Sequence, residues 1–378
     1  MSGFDNEKMT KYLDSLLEYG IPSVDCIVYE NHKQIYRHMK GSIDTAHTVD
    51  VKPDTLYLMF SMTKVQTMTA IMQLIEQGKL NLDDEVANFL PAYKNAVVEK
   101  DGGTEKLAHP MLIRHLLSMQ SGLDYDLTRK GILRILKEKG QKASTRELVD
   151  AFVETPLKFQ PGTHFLYSLS HDVAAAIIEV VTGISYGDYL KKNIWEPLGL
   201  NSTFFAKPEN SSINGLAQQY ICNEKGQIVP MEQTCCYQLS ESYQSGGAGL
   251  VSCTEDYAKL ADTLACGGET ADGIRILKPE TVELIKVNQL GKDSLDDMHK
   301  TMGRPGYGYG CGMSVLLDPK ASNSPSPAGV FGWDGAAGSC ITMDTASKRS
   351  FVFTMHVRNF GKAYDTIHPA IRDIVFGK

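Results

Sequence analysis

Leu56-Tyr-Leu-Met-Phe-Ser61-Met-Thr-Lys64-Val-Gln-Thr-Met68 joins a short apolar run suited to a strand to a stretch of helical periodicity. From Ser61 onward, Met62, Val65, Met68 or Thr69, Met72 and Ile75 recur at helical spacing, and Gly78 stands where a C-cap would. The pattern predicts an amphipathic helix opening at Ser61. Residues i and i+3 share a helix face, so the Lys64 amine can approach the Ser61 hydroxyl. The free N–H groups of the helix start would face an anion forming there. Taken alone, the same residues also fit an N-cap serine followed by a solvated lysine, and composition gives roughly one chance Ser-x-x-Lys in a chain of this size.

The rest of the chain bounds the possibilities. Its 378 residues are 42% hydrophobic and 22% charged, enough for one large core or two coupled lobes. Forty-five acidic against 38 basic residues leave a net charge of −7, which disfavours polyanions, so no nucleic-acid partner is expected. The first ten residues lack the basic start and apolar centre of a signal peptide, which gives an expectation of a cytoplasmic protein. No apolar run approaches the roughly 18 residues that span a bilayer, so no membrane association is expected. Eight cysteines without a Cys-x-x-Cys pair read as reduced, buried thiols. Ten histidines without His-Glu-x-x-His give no reason to expect a metal, and no cofactor is expected.

Along the chain, an opening helix over 7–19 precedes Val24–Glu30 and Lys33–Met39, which flank Asn31-His32 as a β-hairpin. Strand-like runs return only at the far end, at 307–317, 329–333, 339–343 and 350–357, followed by a helix over 362–375. Helical periodicity fills the middle, at 111–119, 130–139, 145–153, 171–181 and 254–265. Segments 290–305 and 318–327 read as surface loops. The economical fold is a single α+β domain over 1–378, with an antiparallel sheet built from both chain ends and flanked by helices. A sheet lobe would take 1–60 and 305–378, and a mainly helical lobe the residues 61–304.

Three further stretches carry chemistry or shape. Gln160-Pro-Gly-Thr-His-Phe-Leu-Tyr167-Ser-Leu-Ser-His-Asp172 puts a phenol at a loop–helix junction. Gly332-Trp333-Asp334-Gly335-Ala336-Ala337-Gly338 is a glycine-dense turn between strands, where backbone can approach a ligand. Tyr243–Ser252 is a glycine-rich turn ahead of a capped helix and reads as structural. The adjacent pair His171-Asp172 is set aside as a triad, because neighbours on a helix point about 100° apart and no Gly-x-Ser-x-Gly elbow is present.

Ser61-Met-Thr-Lys64, Tyr167-Ser-Leu169 and Trp333-Asp-Gly335, in this order, resemble the three active-site motifs of class C β-lactamase-related serine hydrolases. Leu116-Leu-Ser-Met-Gln-Ser-Gly-Leu123, Trp195-Glu-Pro-Leu-Gly-Leu200 and Gly247-Ala-Gly-Leu-Val-Ser252 are similar to the same family, so the resemblance spans residues 24–357. It implies a β-lactamase/transpeptidase-like fold. Ser61 would be the acylated nucleophile, Lys64 its activating partner, Tyr167 a proton shuttle, and the N–H groups of Ser61 and Ala336 the oxyanion hole. Gln120, Leu169, Trp333, Asp334 and Gly335 would face the substrate, a small ester or amide.

Two departures bear on substrate. In the β-lactamases of this class the second motif ends in Asn and the third begins with a cation; here Leu169 and Trp333 stand there, with Asp334 next. Both changes are expected to disfavour anionic β-lactams, and Tyr-Ser-Leu with Trp-x-Gly is similar to the family VIII carboxylesterases. The resulting expectation is an ester-cleaving serine hydrolase. A β-lactamase or D-amino-acid peptidase of the same mechanism is the alternative, and a non-catalytic binding member of the fold a further one.

Overall fold

Asn31 and His32 both take positive φ, 47° and 68°, the backbone of a two-residue hairpin turn whose twist suits the strands it joins. In this computed structural model, which describes residues 4–377, that turn connects β1 (Ser23–Glu30) to β2 (Lys33–Gly41). Five strands from the other end complete an antiparallel sheet. They are β3 (Tyr307–Tyr309), β4 (Ser314–Leu316), β5 (Phe331–Asp334), β6 (Cys340–Asp344) and β7 (Arg349–Thr354), in the spatial order β3-β4-β5-β6-β7-β1-β2. The two chain ends meet where β1 pairs with β7, Asp25 opposite Thr354 and Glu30 opposite Arg349.

Helices cover both faces, as a sheet buried on two sides requires. α1 (Asn6–Leu16) and α5 (His368–Phe376) pack Met9, Leu13, Ile371 and Val375 against Val24, Cys26, Val28, Phe351 and Phe353. Successive side chains of a strand alternate in face, so Ile27 and Val352 belong to the other core. That core holds the central helices α2 (Thr63–Glu76), α3 (Ser170–Thr182) and α4 (Thr254–Ala265). The antiparallel sheet from both chain ends and the helices between them are as the sequence implies.

Several details differ. The run 307–317 is two strands rather than one. At Gly310 a Cβ would stand 2.0 Å from the Ile285 carbonyl oxygen, and at Gly312, with φ +81°, it would meet His171 and Met68, so the chain turns there where only glycine fits. Segment 290–305, expected as a loop, contains the helix Lys292–Met302, ended by Gly303 with φ +62°. It buries Ser294 and Met298 and is otherwise mostly charged, too narrow an apolar stripe to read among its Lys and Asp residues. The middle also contributes the strand Leu250–Cys253, which pairs with Leu56–Leu58 and Phe204–Phe205.

α2 is not amphipathic: every residue from Thr63 to Leu74 is buried. Most of its polar side-chain atoms find neighbours, Gln66 Nε2 being left without a partner. Gln66 Oε1 accepts from Trp195 Nε1 at 2.6 Å, Thr67 Oγ1 donates to Gly246 O at 2.6 Å, and Gln73 Nε2 donates to Asn193 O and Ile276 O. All eight cysteines are free thiols. Among the described residues no single helix is long and apolar enough to cross a bilayer.

Candidate active site

The backbone reverses sharply just before Ser61. Strand Leu56–Leu58 ends at Met59, and Phe60 then adopts φ +46°, a conformation costly for a bulky residue, of order 1–3 kcal/mol. The Phe60 ring is fully buried, edge-on to Tyr237 and 5.2 Å from the Arg358 guanidinium, and this packing holds the turn. One short 3₁₀ turn, Phe60–Met62, then leads into α2, so the helix proper starts two residues after Ser61. Ser61 lines a cleft of 430 Å³ together with Tyr125, Tyr167, Tyr237, Trp333 and Ala336.

Beneath Ser61 lies Lys64, with no exposed surface. Its Nζ is 3.2 Å from Ser61 Oγ and donates to Tyr125 OH and to Gly247 O, each at 2.7 Å. Two of its three N–H directions are thereby fixed, and the third faces the serine. Burial lowers the Lys64 pKa to about 7, against an opposing pull from the Asp172 carboxylate. Asp172, in the first turn of α3, is itself buried; Tyr243 OH and Ser245 Oγ donate to its Oδ1 at 2.7 and 2.6 Å. Burial raises its pKa, and those two hydrogen bonds and Lys64 counter the rise.

The turn 243–252, read from sequence as structural, is therefore a wall of the site. A Cβ on Gly247 would stand 2.6 Å from Asp172 Oδ2 and 3.4 Å from Lys64 Nζ, and one on Gly246 would stand 2.3 Å from the His171 carbonyl oxygen. Glycine here lets a main-chain carbonyl reach the amine.

Tyr167 comes from the loop before α3. Its ring lies 4.6 Å from Lys64 Nζ, and its hydroxyl accepts from Trp333 Nε1 at 2.9 Å. Burial pushes this phenol well up, with hydrogen bonds to Ser61 and Trp333 working the other way. Burial also pushes Tyr125 well up. Tyr125, Tyr167 and Trp333 form a continuous aromatic wall, with ring centroids 5.5 and 5.4 Å apart.

β5 delivers the third motif. A Cβ on Gly335 would stand 2.4 Å from the Met59 carbonyl oxygen and 2.3 Å from Ser339 Oγ, so only glycine allows this turn to rest against the strand that leads to Ser61. Gly335 N donates to Ser339 O at 2.8 Å, and Tyr364 OH donates to Gly335 O at 2.9 Å. This close approach brings the Ala336 backbone to the same cleft as Ser61.

Of the residues expected to face the substrate, Trp333, Asp334 and Gly335 line the cleft and two do not. Gln120 is buried in an internal network: Nε2 donates to Ser118 Oγ and Gln289 O, and Ser294 Oγ donates to Oε1 at 3.0 Å. Leu169 is a core residue. Asp334 does not present a free charge either. It forms an ion pair with Arg304 and lies 3.2 Å from His368 Nδ1. Burial works to raise its carboxyl, but Arg304 and His368 override this and hold it well below the usual carboxylate range.

Arg304 also stands 5.2 Å over the Trp333 ring and lines the cleft beside Met302. A second cavity of 490 Å³ adjoins across Arg304, Trp333 and Asp334. Sequence reading missed Tyr125, Tyr237, Asp172, Gly247 and Arg304. Tyr125 follows the quoted stretch 116–123 by two residues; Arg304 follows the helix that sequence did not reveal.

Residues 7–376 match the family model described as Beta-lactamase, and the chain belongs to that family. Esterase EstB of Burkholderia gladioli is 26% identical over 388 residues, covering 96% of this chain and 93% of its own. Acyltransferase calJ of Penicillium decumbens is 30% identical over 314 residues, covering 76% and 72%. Among solved structures, EstCE1, described as a hydrolase with promiscuous acyltransferase activity, superposes with a TM-score of 0.80 at 26% identity, covering 98% of this chain and 99% of the other.

Proposed function

We propose that the protein is a serine hydrolase that cleaves a small carboxylic ester through an acyl-enzyme on Ser61. The observation that carries this reading is the buried Lys64 amine, 3.2 Å from Ser61 Oγ and depressed to about 7. A neutral amine in that place can take the serine proton as Oγ attacks the acyl carbon. The raised phenols of Tyr167 and Tyr125 favour the amine over a phenolate as base. Negative charge developing on the carbonyl oxygen would fall to the Ser61 and Ala336 N–H groups. The C–O bond then breaks, and the leaving alkoxide takes a proton from Tyr167, which Lys64 replenishes. Water, giving its proton to Lys64, attacks the acyl carbon, and as the bond to Ser61 Oγ breaks Lys64 returns that proton to Oγ, which releases the carboxylic acid and restores Ser61.

Two relatives support the ester substrate by what they are called, the esterase EstB and the hydrolase EstCE1. The acyltransferase calJ and the acyltransferase activity of EstCE1 favour a second reading, in which an alcohol replaces water in the last step. A β-lactamase or D-amino-acid peptidase would share every step up to the leaving group.

The test is a panel of p-nitrophenyl esters, a chromogenic cephalosporin and D-amino-acid amides, with and without an added alcohol, on wild type and Ser61→Ala. Fluorophosphonate labelling with peptide mapping accompanies it. Short-chain esters should turn over fastest, with the label on Ser61. A label on another serine, or ester hydrolysis that survives Ser61→Ala, rejects the assignment.

A further inference from the structure

Outside the residues that line the cleft, three donors of different chemistry converge at the tip of the β1–β2 hairpin. They are the imidazole of His32, the carboxylate of Asp262 and the thiol of Cys266, whose donor atoms all lie within 4.8 Å of one another. Asp262 and Cys266 are four residues apart at the end of α4, Cys266 being its C-cap, so their side chains share one helix face. His32 is held across from them by the hairpin turn. Its backbone N–H donates to Asp262 Oδ1 at 3.1 Å, its Nδ1 lies 2.8 Å from Asp262 Oδ2, and the Asn31 N–H donates to Lys348 O at 2.7 Å.

We propose that His32, Asp262 and Cys266 form a zinc site, with His32 Nδ1, one Asp262 oxygen and Cys266 Sγ as ligands and water as the fourth. A nitrogen, an oxygen and a sulfur donor suit borderline Zn²⁺ rather than Mg²⁺ or Ca²⁺, which prefer oxygen alone. Tetrahedral bonds of about 2.0–2.3 Å place donors roughly 3.3–3.8 Å apart. The His–Asp pair, 2.8 Å apart, therefore has to open slightly and the thiol to close in. Cys266 gives its proton to solvent as the Zn–S bond forms, the proton that His32 Nδ1 shares with Asp262 moves through solvent to Nε2 so that Nδ1 can bind, and thiolate plus carboxylate then balance the charge of the ion.

A hydrogen-bonded His–Asp pair needs no thiol, and the present contact of Cys266 Sγ with Asp262 Oδ1 is a weak 3.7 Å. The side chains keep 24% and 10% of their surface open, an entry path for the ion. Sequence spacing hides the site because 230 residues separate His32 from Asp262. Bound there, zinc would fasten the hairpin to α4, a stabilising role separate from turnover.

Chelator-treated full-length protein, carrying Cys236→Ser to remove an exposed thiol, is titrated with Co²⁺ and then with Zn²⁺. One cobalt per chain with thiolate charge-transfer absorption, its displacement by zinc, and a rise in Tm with zinc are expected. Cys266→Ser should abolish the absorption, and His32→Ala should weaken zinc binding about tenfold or more, with near-ultraviolet circular dichroism unchanged. Absence of stoichiometric cobalt, or absorption that persists in Cys266→Ser, overturns the proposal. Should Cys266→Ser not fold, unaltered zinc affinity in His32→Ala overturns it as well.

Discussion

The indole N–H of Trp333 donates to the Tyr167 hydroxyl at 2.9 Å, with the two rings 5.4 Å apart. The residue at the head of the third motif thus serves the phenol of the second. Trp333→Phe keeps a ring and removes the donor. Loss of one neutral hydrogen bond, about 0.5–1.5 kcal/mol, should lower kcat on an ester by roughly 2- to 10-fold with KM little changed.

Preference against β-lactams should be narrower than the two motif departures alone suggest. Leu169 lies in the core and Asp334 is neutralised by Arg304, so only the missing cation at Trp333 remains. A charge-assisted bond of about 1.5–3 kcal/mol corresponds to roughly 10- to 10²-fold in kcat/KM. Trp333→Lys should shift the ester-to-cephalosporin ratio by that amount, read with a p-nitrophenyl ester and a chromogenic cephalosporin. An unchanged ratio would show that Trp333 does not set substrate class.

Ester hydrolysis should lose rate on the acid side of about pH 7, because protonation of Lys64 removes the base. The Asp172 carboxylate holds that proton on, so Asp172→Asn should move the acid limb to lower pH. A pH profile of kcat/KM for both proteins checks this, and a limb that stays in place would exclude Lys64 as the titrating group. Linkage has a definite sign here. A lysine depressed on folding binds fewer protons in the folded state than in the unfolded chain between about pH 7 and 10.5, so its unfavourable contribution to stability is full below pH 7 and fades as pH rises through that window.

Tyr125 and Tyr167 should separate by magnitude. Tyr167→Phe removes the group proposed to pass the reacting proton and should lower kcat by about 10²–10⁴. Tyr125→Phe removes one of three partners of Lys64, a contact worth about 1–3 kcal/mol, and should cost roughly 5- to 10²-fold. Steady-state kinetics on one ester ranks them; equal losses would give Tyr125 a direct part in proton transfer.

Gly335→Ala tests the proposed oxyanion role of the Ser61 and Ala336 N–H groups. The added methyl would meet Met59 O at 2.4 Å and push the Ala336 turn away from Ser61. Loss of one such donor costs about 10²–10³ in kcat. Fluorophosphonate should still label Ser61, more slowly, whereas a wild-type kcat would remove Ala336 from the site.

Local patterns were legible in the sequence, and long-range meetings were not. Helices Lys130–Lys139 and Thr254–Ala265 lie where periodicity places them, and the Asn31-His32 turn follows from its residue types. Ser61 and Lys64 share a helical turn, so their contact followed from spacing alone. Gly247 reaches Lys64 across 183 residues and Trp333 reaches Tyr167 across 166, distances over which no periodicity carries information. Gln120 and Leu169 misled because a motif fixes the path of the backbone, while the cleft is lined only by the side chains that turn towards it.

The pairing of β1 with β7 also sets a timetable for synthesis. Glu30 and Arg349, joined by an ion pair across that seam, are 319 residues apart, which at roughly 5–20 residues per second is about 15–60 s of translation. For that interval the finished hairpin carries Val24, Cys26 and Val28 with neither neighbouring strand nor covering α5, and β1 has an open edge. That edge of β1 therefore stays open to aggregation until β7 is made, and slower translation lengthens the exposure.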